Sequence, residues 1–166
     1  MECDIIIPVF NETAITKNCL ASIAANSDTP CRLILIDNAS SEETKIFLQN
    51  FANTHKDAIL LRNEINLGWV KAVNQGIKLS ESPYICIMNN DTVVKTRGWL
   101  AKMIAVAEAA GDIGLVNPRF DSRPDKTKKE PYIEIDFCRG YCVLIKRAVI
   151  EKVGGLDEAY GLGYYD

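Results

Sequence analysis

Polar side chains recur in this chain directly after short apolar runs, and their types and spacing could support ligand chemistry. Asn11 and Glu12 follow the first run, Asp37 and Asn38 follow the second, and an Asn-Asn-Asp turn at 89–91 follows a later one. Carboxylates and amides suit a divalent cation and sugar hydroxyls, because an aspartate neutralises part of the ion's charge and leaves other coordination positions to phosphate oxygens and water. At any single position a turn or helix cap is the simpler explanation, so only the combination predicts a site.

The elements that must position these side chains are predicted from hydrophobic spacing. Short apolar runs predict strands at 4–10, 33–36, 58–61, 84–88, 113–116, 132–138 and 141–145. Apolar residues at helical spacing predict helices through 15–23, 43–51, 70–77, 99–110 and 147–153. Ile15 is assigned to the apolar face of the first helix, a Ser40/Glu43 capping box to the start of the second, and Gly68 to the start of the third. Such alternation predicts a mainly parallel α/β sheet, in which the polar turns meet beyond the carboxyl ends of the strands.

Composition limits the classes of protein that the chain can represent. Its 166 residues, 48% hydrophobic and 25% charged, suffice for one domain with its own core. A net charge of −3 and a single histidine, His55, argue against nucleic acid as a partner, because that partner needs a basic surface. The charged start, and the lack of an apolar run near the roughly 20 residues that span a bilayer, predict no transmembrane segment. We therefore expect a cytoplasmic location. This location is compatible with peripheral association of a longer protein with the inner face of the membrane.

The six cysteines lie mostly inside apolar runs and form no Cys-x-x-Cys pair, so we expect buried free thiols. Cys138 and Cys142 would need further ligands to hold a metal, and the one histidine is far away in sequence. A structural zinc site is therefore not predicted.

Both common glycine-rich phosphate cradles are missing from the sequence. Neither Gly-x-Gly-x-x-Gly nor Gly-x-x-x-x-Gly-Lys-Ser/Thr is present, and the loop after the first run has no glycine. A nucleotidyltransferase would need a glycine-rich loop with a basic residue there, which Asn11-Glu12-Thr13 does not supply. Any phosphate must be held another way, most simply through a metal ion.

Five short motifs, in order and at suitable spacing across nearly the whole chain, resemble those of the family 2 glycosyltransferases. They are Ile-Ile-Ile-Pro-Val-Phe-Asn-Glu at 5–12, Ile-Asp-Asn-Ala-Ser at 36–40, Asn-Leu-Gly at 66–68 with Ala-Val-Asn-Gln-Gly at 72–76, Met-Asn-Asn-Asp-Thr at 88–92, and Gly-Gly-Leu-Asp-Glu at 154–158. The resemblance implies a GT-A fold, which is a Rossmann-like, mainly parallel sheet with helices on both faces. It also implies that a sugar is transferred from a nucleoside diphosphate, commonly with Mn²⁺ or Mg²⁺.

The same resemblance implies roles for individual residues. Pro8, Phe10 and Glu12 would line the nucleoside pocket, and Asp37 would accept a hydrogen bond from a pyrimidine ring nitrogen. Asp91 stands in the place of the family's Asp-x-Asp motif and would bind the metal. The other residues assigned to the donor site are Asn66, Gly68, Lys71, Asn89 and Asn90.

Asn89 departs from that motif, because many relatives have a carboxylate there. With one carboxylate fewer, the metal would bind weakly or mainly through the donor diphosphate, and Asn89 would contact ribose or sugar. Asn-Asn-Asp variants resemble rhamnosyltransferase-like members, which implies a dTDP-sugar donor as an alternative to a UDP-sugar. The acceptor implied is a saccharide or lipid-linked acceptor, in the synthesis of cell-surface polysaccharide.

The end of the chain bears on the catalytic base. Members of the family invert the anomeric carbon in one displacement, and the resemblance places the base in an acidic pair after the Gly-Gly-Leu-Asp stretch. The chain reaches that motif and ends, so Asp166 is either its first acid or the base itself.

We therefore expect one domain over 1–166 that is a piece of a longer enzyme, with a nucleotide-binding part at about 1–92 and an acceptor-side part at about 93–166. Such a chain should bind nucleotide and transfer sugar slowly or not at all, because acceptor orientation and the general base both contribute to rate. A nucleotidyltransferase and a non-catalytic carbohydrate- or nucleotide-binding domain are the alternatives.

Overall fold

The computed structural model describes residues 2–118 and 132–160. Within these ranges the strands are β1 (Cys3–Val9), β2 (Cys31–Asn38), β3 (Ala58–Asn63), β4 (Tyr84–Met88), β5 (Leu115–Val116) and β6 (Cys142–Lys146). The helices are α1 (Thr13–Asn26), α2 (Glu42–Thr54), α3 (Trp69–Leu79), α4 (Trp99–Ala107) and α5 (Arg147–Val153), followed by a 3₁₀ turn at Glu158–Tyr160.

The strands form one sheet in the order β3-β2-β1-β4-β6-β5. Strands β3, β2, β1 and β4 are parallel neighbours, and β6 runs antiparallel to both β4 and β5. The predicted, mainly parallel α/β sheet is confirmed. The chain moves outward from β1 to β2 and β3 and then returns to the other side of β1 as β4, so a crevice opens beyond the carboxyl ends of β1 and β4.

Helices cover both faces of the sheet, as predicted. One apolar cluster joins the sheet to α1, α2 and α4, and the other joins it to α3 and α5. The β1 strand, buried over its whole length, divides its side chains between them: Ile5 and Ile7 face the first cluster, and Ile6 faces the second. Burial of each such side chain contributes about 1.5–3 kcal/mol, which holds β1 at the centre.

Helix α3 packs closely on β1 at Gly76. A β-carbon built on Gly76 would lie 2.3 Å from Cγ2 of the buried Ile6 and 3.1 Å from its Cγ1. These distances leave no room for a methyl group, so glycine is required by packing and not by backbone conformation.

Gly76→Ala should therefore destabilise the fold. Alanine favours helix by up to about 1 kcal/mol over glycine, but overpacking of a filled core costs about 1–3 kcal/mol. We expect a net loss of up to about 2 kcal/mol in the free energy of unfolding, measured by urea denaturation. Gly111→Ala is the control, because a β-carbon there meets no atom within 4 Å. Equal stability of the two variants would contradict the packing argument.

The amino end of the sheet is held together by the fully buried carboxylate of Asp4. It accepts hydrogen bonds from Nε and Nη2 of Arg32 at 2.9 and 3.0 Å, and from Oγ of Ser80 at 2.8 Å. The backbone N–H groups of Glu81 and Ser82 donate to it at 2.8 and 3.0 Å. Burial by itself would raise the pKa of Asp4, but these five hydrogen bonds outweigh burial and hold that pKa well below its usual range.

The predicted strand at 132–138 is wrong. The structure has no strand there, and residues 132–137 are exposed. Glu134 and Asp136 alternate with the apolar side chains of this segment, and β6 already pairs with β4 and β5 on its two edges. The apolar alternation therefore has no free partner strand beside β6.

Three predictions about helices also need correction. Helix α2 begins at Glu42 with Ser41 at its N-cap and no side-chain cap, so the Ser40/Glu43 capping box does not form. Ile15 is 40% exposed, because α1 turns a face containing Thr16 and Cys19 to the sheet. The helix predicted over 99–110 ends at Ala107.

The cysteines are free thiols, as predicted, and Cys3, Cys19, Cys86 and Cys142 are buried, whereas Cys31 and Cys138 are only partly buried. Within 2–118 and 132–160, no three His, Cys, Asp or Glu side chains are grouped so that they could hold a metal ion. None of the helices in these two ranges is long and apolar enough to traverse a bilayer.

Candidate functional site

The loops after β1 and β2 are clamped to each other. The backbone N–H of Asn11 donates to Oγ of Ser40 at 2.9 Å, and Oδ1 of Asn11 accepts from the backbone N–H of Ser41 at 2.8 Å. Asn11, Glu12 and Ala39 have φ values of 60°, 56° and 64°, in the left-handed region that L-residues rarely adopt. Backbone strain of this kind costs about 1–3 kcal/mol per residue and clusters at ligand sites, where the surroundings over-determine it.

The residues predicted to line a nucleoside pocket are distributed over this β1 end. Pro8 is buried within β1, opposite Ile36 of β2. Phe10 is 49% exposed, and Glu12 is exposed at the left-handed N-cap of α1. Phe10 and Glu12 are therefore accessible from solvent, whereas Pro8 shapes the strand beneath them.

Asp37, at the end of β2, is fully buried and paired with the side chain of Arg62, a residue that was not predicted from the sequence. Its Oδ2 accepts a hydrogen bond from Nη1 of Arg62, and its Oδ1 accepts from the backbone N–H of Ser40 at 2.9 Å. Nη2 of Arg62 also donates to the carbonyl oxygen of Ser40 at 3.2 Å. Since Arg62 lies opposite Asp37 in the β2–β3 register, knowledge of that strand pairing would have revealed the partner.

A network of amides shapes the loop that opens α3. Asn38 donates from Nδ2 to Oδ1 of Asn66 at 2.7 Å, and its Oδ1 accepts from the backbone N–H of Leu67 at 2.9 Å. Oδ1 of Asn66 also accepts from the backbone N–H of Gly68 at 2.9 Å. Gly68 has φ 85°, a conformation that favours glycine. Asn66 and Gly68, both assigned to the donor site, thus build the turn that begins α3.

The Asn-Asn-Asp turn follows β4 at the switch point of the sheet. The backbone N–H of Asn89 donates to the carbonyl oxygen of Tyr141 at 3.0 Å, and Nδ2 of Asn90 lies 3.0 Å from Oγ1 of Thr16. Oδ1 of Asn89 accepts from Nε1 of Trp69, the first residue of α3, at 2.9 Å. The turn is thereby tied to α1, α3 and the segment before β6.

Asp91 is the exposed carboxylate of this turn. Across the described part of the chain it forms no hydrogen bond or ion pair. Burial raises the pKa of Cys19 to about 12, and the nearby negative charge of Asp91 adds to that shift. Within 2–118 and 132–160 no two further side chains join Asp91 as metal ligands, and a single carboxylate of this kind fits a cation that is held chiefly by a phosphate-bearing ligand.

Lys71 is the cation nearest in sequence to the start of α3. It is exposed, and among the described residues it has no ion pair. An unpaired lysine near a helix amino terminus suits an anionic ligand, because the terminal N–H groups of the helix attract the same charge.

Asn74 of α3 holds the Gly-Gly-Leu-Asp-Glu segment against that helix. Its Nδ2 donates to the carbonyl oxygen of Leu156 at 2.9 Å and to Oε1 of Glu158 at 3.0 Å, while its Oδ1 accepts from the backbone N–H of Leu156 at 2.8 Å. A β-carbon on Gly155 would lie 2.6 Å from that Oδ1, so glycine is needed for the close approach. Asp166, the predicted catalytic residue, lies outside the described residues.

Comparison with known proteins identifies relatives over most of the chain. A family profile described as Glycosyl transferase family 2 matches residues 4–156. A PGL/p-HBAD biosynthesis glycosyltransferase of Mycobacterium tuberculosis is 28% identical over 101 residues, which cover 61% of this chain and 40% of that protein. Glycosyltransferase AglE of Haloferax volcanii is 22% identical over 165 residues, covering 90% of this chain and 54% of that protein. The chain thus spans about half the length of these relatives.

Solved structures share the architecture. A mannosyltransferase of Pyrobaculum calidifontis, PcManGT, solved in complex with GDP-Man and Mn²⁺, matches with a TM-score of 0.77 at 22% identity. The match covers 94% of this chain and 47% of that one. The predicted GT-A fold is therefore confirmed.

Proposed function

The chain belongs to glycosyl transferase family 2, and on that premise we propose that its polar sheet edge binds a UDP- or dTDP-sugar together with a divalent cation. The observation that carries this proposal is the convergence of Asp37, Asn89 and Asp91 on the edge where the strand order reverses. The reaction proposed is inverting transfer of the sugar to a saccharide or lipid-linked acceptor. We further propose a cytoplasmic setting, at the inner face of the membrane, in the synthesis of cell-surface polysaccharide.

The nucleoside end of the site is proposed to lie at the end of β2. An ionised carboxylate has about four lone-pair positions, and Asp37 uses one on Ser40 and one on Arg62. Two positions are therefore left for the N–H of a pyrimidine ring, while the guanidinium of Arg62 holds the carboxylate in place. The half-exposed ring of Phe10, after the neighbouring β1 strand, offers an apolar surface for the base.

The diphosphate is proposed to lie between the Asn-Asn-Asp turn and the start of α3. Asp91 would ligate the cation, Mn²⁺ or Mg²⁺, and Lys71, Asn66, Asn89 and Asn90 would contribute positive charge and hydrogen bonds. When bound, the cation supplies charge neutralisation for the diphosphate as it leaves. The amide network behind Gly68 keeps the start of α3 rigid, so these groups need little reorganisation when the donor binds.

The acceptor side is proposed to begin after residue 92 and to include the Gly-Gly-Leu-Asp-Glu segment. Asn74 anchors that segment through both the N–H and the carbonyl of Leu156. The residues that follow it lead to Asp166, which we propose, from the family resemblance, as the base that takes the proton of the acceptor hydroxyl, or as the first acid of the pair that does so.

A nucleotide panel tests this function. Thermal unfolding would be followed with UDP, dTDP and GDP, each with and without Mn²⁺, because a ligand that binds only the native state raises the unfolding temperature. We expect stabilisation by a pyrimidine diphosphate that increases with Mn²⁺. Stabilisation by free saccharides alone would instead support a carbohydrate-binding domain and contradict the proposal.

Asp37→Asn should weaken the binding of pyrimidine nucleotides. The substitution keeps the shape of the side chain but removes the charge that pairs with Arg62 and accepts the ring N–H, and hydrogen bonds to charged groups contribute about 1.5–3 kcal/mol. We expect UDP affinity, measured by calorimetry, to fall about tenfold or more. The increase produced by Mn²⁺ should persist, because Asp37 lies away from the proposed metal.

Asp112→Asn is the matched control, since Asp112 is an exposed aspartate in the turn after α4. Titrations of Asp37→Asn that match those of wild type would show that Asp37 serves only the loop after β2.

A further inference from the structure

Trp69 and Asn89 form a hydrogen bond whose direction is fixed by chemistry. The indole nitrogen of Trp69 lies 2.9 Å from Oδ1 of Asn89. An indole N–H can only donate, so the oxygen of the Asn89 amide, and not its nitrogen, must face it. The orientation of this amide therefore follows from its partner, although oxygen and nitrogen of an amide look alike in most structures.

Both residues are held in place by their backbones. Trp69 follows the turn that Asn38 and Asn66 fix at Gly68, and its ring packs, half-buried, against the second apolar cluster. The backbone N–H of Asn89 is bonded to Tyr141 at 3.0 Å. The bond therefore joins two rigid elements, the start of α3 and the end of β4.

The amide nitrogen of Asn89 remains available to a ligand. Within the described residues no group accepts a hydrogen bond from Nδ2 of Asn89, and no buried side-chain nitrogen or oxygen lacks a partner, so this nitrogen reaches solvent. The turn that ends β4 thus presents two side chains of different character. Asn89 offers N–H donors, and Asp91 offers carboxylate oxygens.

We propose that Trp69 is a positioning residue that fixes Asn89 as a hydrogen-bond donor toward the nucleotide-sugar and withholds its oxygen from the metal. This inference rests on the proposed function, because it assigns the two residues to that same site. Asn89 then donates a hydrogen bond directly to an oxygen of the nucleotide-sugar. The cation is bound by Asp91 and the diphosphate. The site then retains appreciable affinity for the donor without metal.

The geometry can be tested without any ligand. The chain has two tryptophans, and the indole of Trp99 donates at 2.9 Å to Oγ of Ser27, the C-cap of α1, at the end of that helix opposite the loop after β1. In ¹⁵N-¹H spectra, Asn89→Ala should shift the indole resonance of Trp69 and leave that of Trp99 unchanged. An unchanged Trp69 resonance would overturn the proposal, because the bond that it requires would not exist.

The consequence for the ligand is measured by calorimetric titration of UDP with and without Mn²⁺. Trp69→Phe keeps the aromatic ring but removes the donor, which frees the amide of Asn89 to rotate. We expect affinity without metal to fall about two- to tenfold, as for a lost hydrogen bond. The ratio of the affinities with and without Mn²⁺ should rise, since the amide oxygen can now reach the metal.

Asn89→Asp extends the same experiment. One carboxylate oxygen can still accept the indole N–H of Trp69, and the second becomes a metal ligand. Affinity without metal should fall, because the added negative charge repels the diphosphate, and the Mn²⁺ ratio should exceed that of wild type. Once Asn89 is alanine, Trp69→Phe should have little further effect on binding, because the two residues act as one unit.

Trp99→Phe is the matched control and should leave every UDP titration unchanged. A purely structural role for Trp69 would lower the affinities with and without Mn²⁺ equally, and an unchanged ratio in both Trp69→Phe and Asn89→Asp would overturn the proposal. Absence of UDP binding by the wild-type chain would instead defeat the proposed function, and this inference with it.

Discussion

Asp91→Asn is expected to abolish the Mn²⁺-dependent part of nucleoside diphosphate binding while the protein stays folded. Asp91 is the exposed carboxylate of the turn after β4, and the described residues near it offer no cluster of three metal ligands. An amide is a weaker ligand for a hard cation than a carboxylate, because it carries no net charge to neutralise the ion. We expect UDP affinity with Mn²⁺ to fall to the value that wild type shows without metal.

Stability should change little, since substitutions of exposed residues are usually within about 0.5 kcal/mol. The comparison is calorimetric, with thermal unfolding of each variant measured alongside. Glu64→Gln, in the exposed loop after β3, removes one negative charge from the same edge and is the control for a general effect of charge. Persistence of the full Mn²⁺ effect in Asp91→Asn would contradict the assignment of the metal.

Asp4→Asn should produce the largest loss of stability among the substitutions considered. Asp4 is fully buried at the amino end of β1. It accepts hydrogen bonds from Nε and Nη2 of Arg32 and three more from the segment 80–82. The substitution leaves the guanidinium of Arg32 facing a neutral amide, and breaking a buried ion pair typically costs about 3–5 kcal/mol. Glu81→Gln is the control, because Glu81 is an exposed partner of Arg32 at 3.8 Å, and such contacts contribute little.

The effect of Asp4 should depend on pH in a defined direction. Its pKa is well below the usual range in the folded protein, whereas the pKa of an aspartate in the unfolded chain is about 3.9. The stability that Asp4 provides is therefore fully present above about pH 4 and is lost as the pH falls toward the folded pKa. Urea denaturation at pH 7 and pH 3 should show that the free energy of unfolding falls more for wild type than for Asp4→Asn. Parallel pH profiles would contradict a specific role for this carboxylate.

Much of the fold could be predicted because strong local signals agreed with the final packing. The segment Tyr84–Met88 is apolar, follows Pro83 and precedes a polar turn, so strand and boundaries were both predicted. In the segment 132–138 apolar and charged residues alternate, which also predicts a strand, but this segment pairs with no strand in the structure. Local pattern cannot supply that information, because strand pairing depends on which edges the rest of the sheet leaves free.

Some residues of the candidate site could likewise be predicted from the sequence, and others could not. Asp37, Asn89 and Asp91 could be placed at one edge from the sequence, because parallel strands bring their carboxyl ends together. Arg62 and Asn74 were missed, since the first acts through the β2–β3 register and the second contacts a segment 82 residues away in sequence. Ser40 also misled the helix prediction, because its hydroxyl takes part in the clamp with Asn11 instead of capping α2.

The central claim, that a divalent cation and a nucleoside diphosphate bind together at the carboxyl edge of the sheet, is tested most directly by paramagnetic NMR with Mn²⁺ and UDP. Bound Mn²⁺ broadens nearby resonances, and the effect falls steeply with distance. The two ends of the seven-residue strand β1 are separated by about 20 Å.

We predict that substoichiometric Mn²⁺, added with UDP, broadens the backbone amides of Asn89 and Asn90 and the indole N–H of Trp69. The amides of Glu81 and Ser82, which bond to Asp4 at the opposite end, should stay sharp. Broadening centred on Glu81 and Ser82, or no UDP-dependent broadening at the Asn-Asn-Asp turn, would contradict the account.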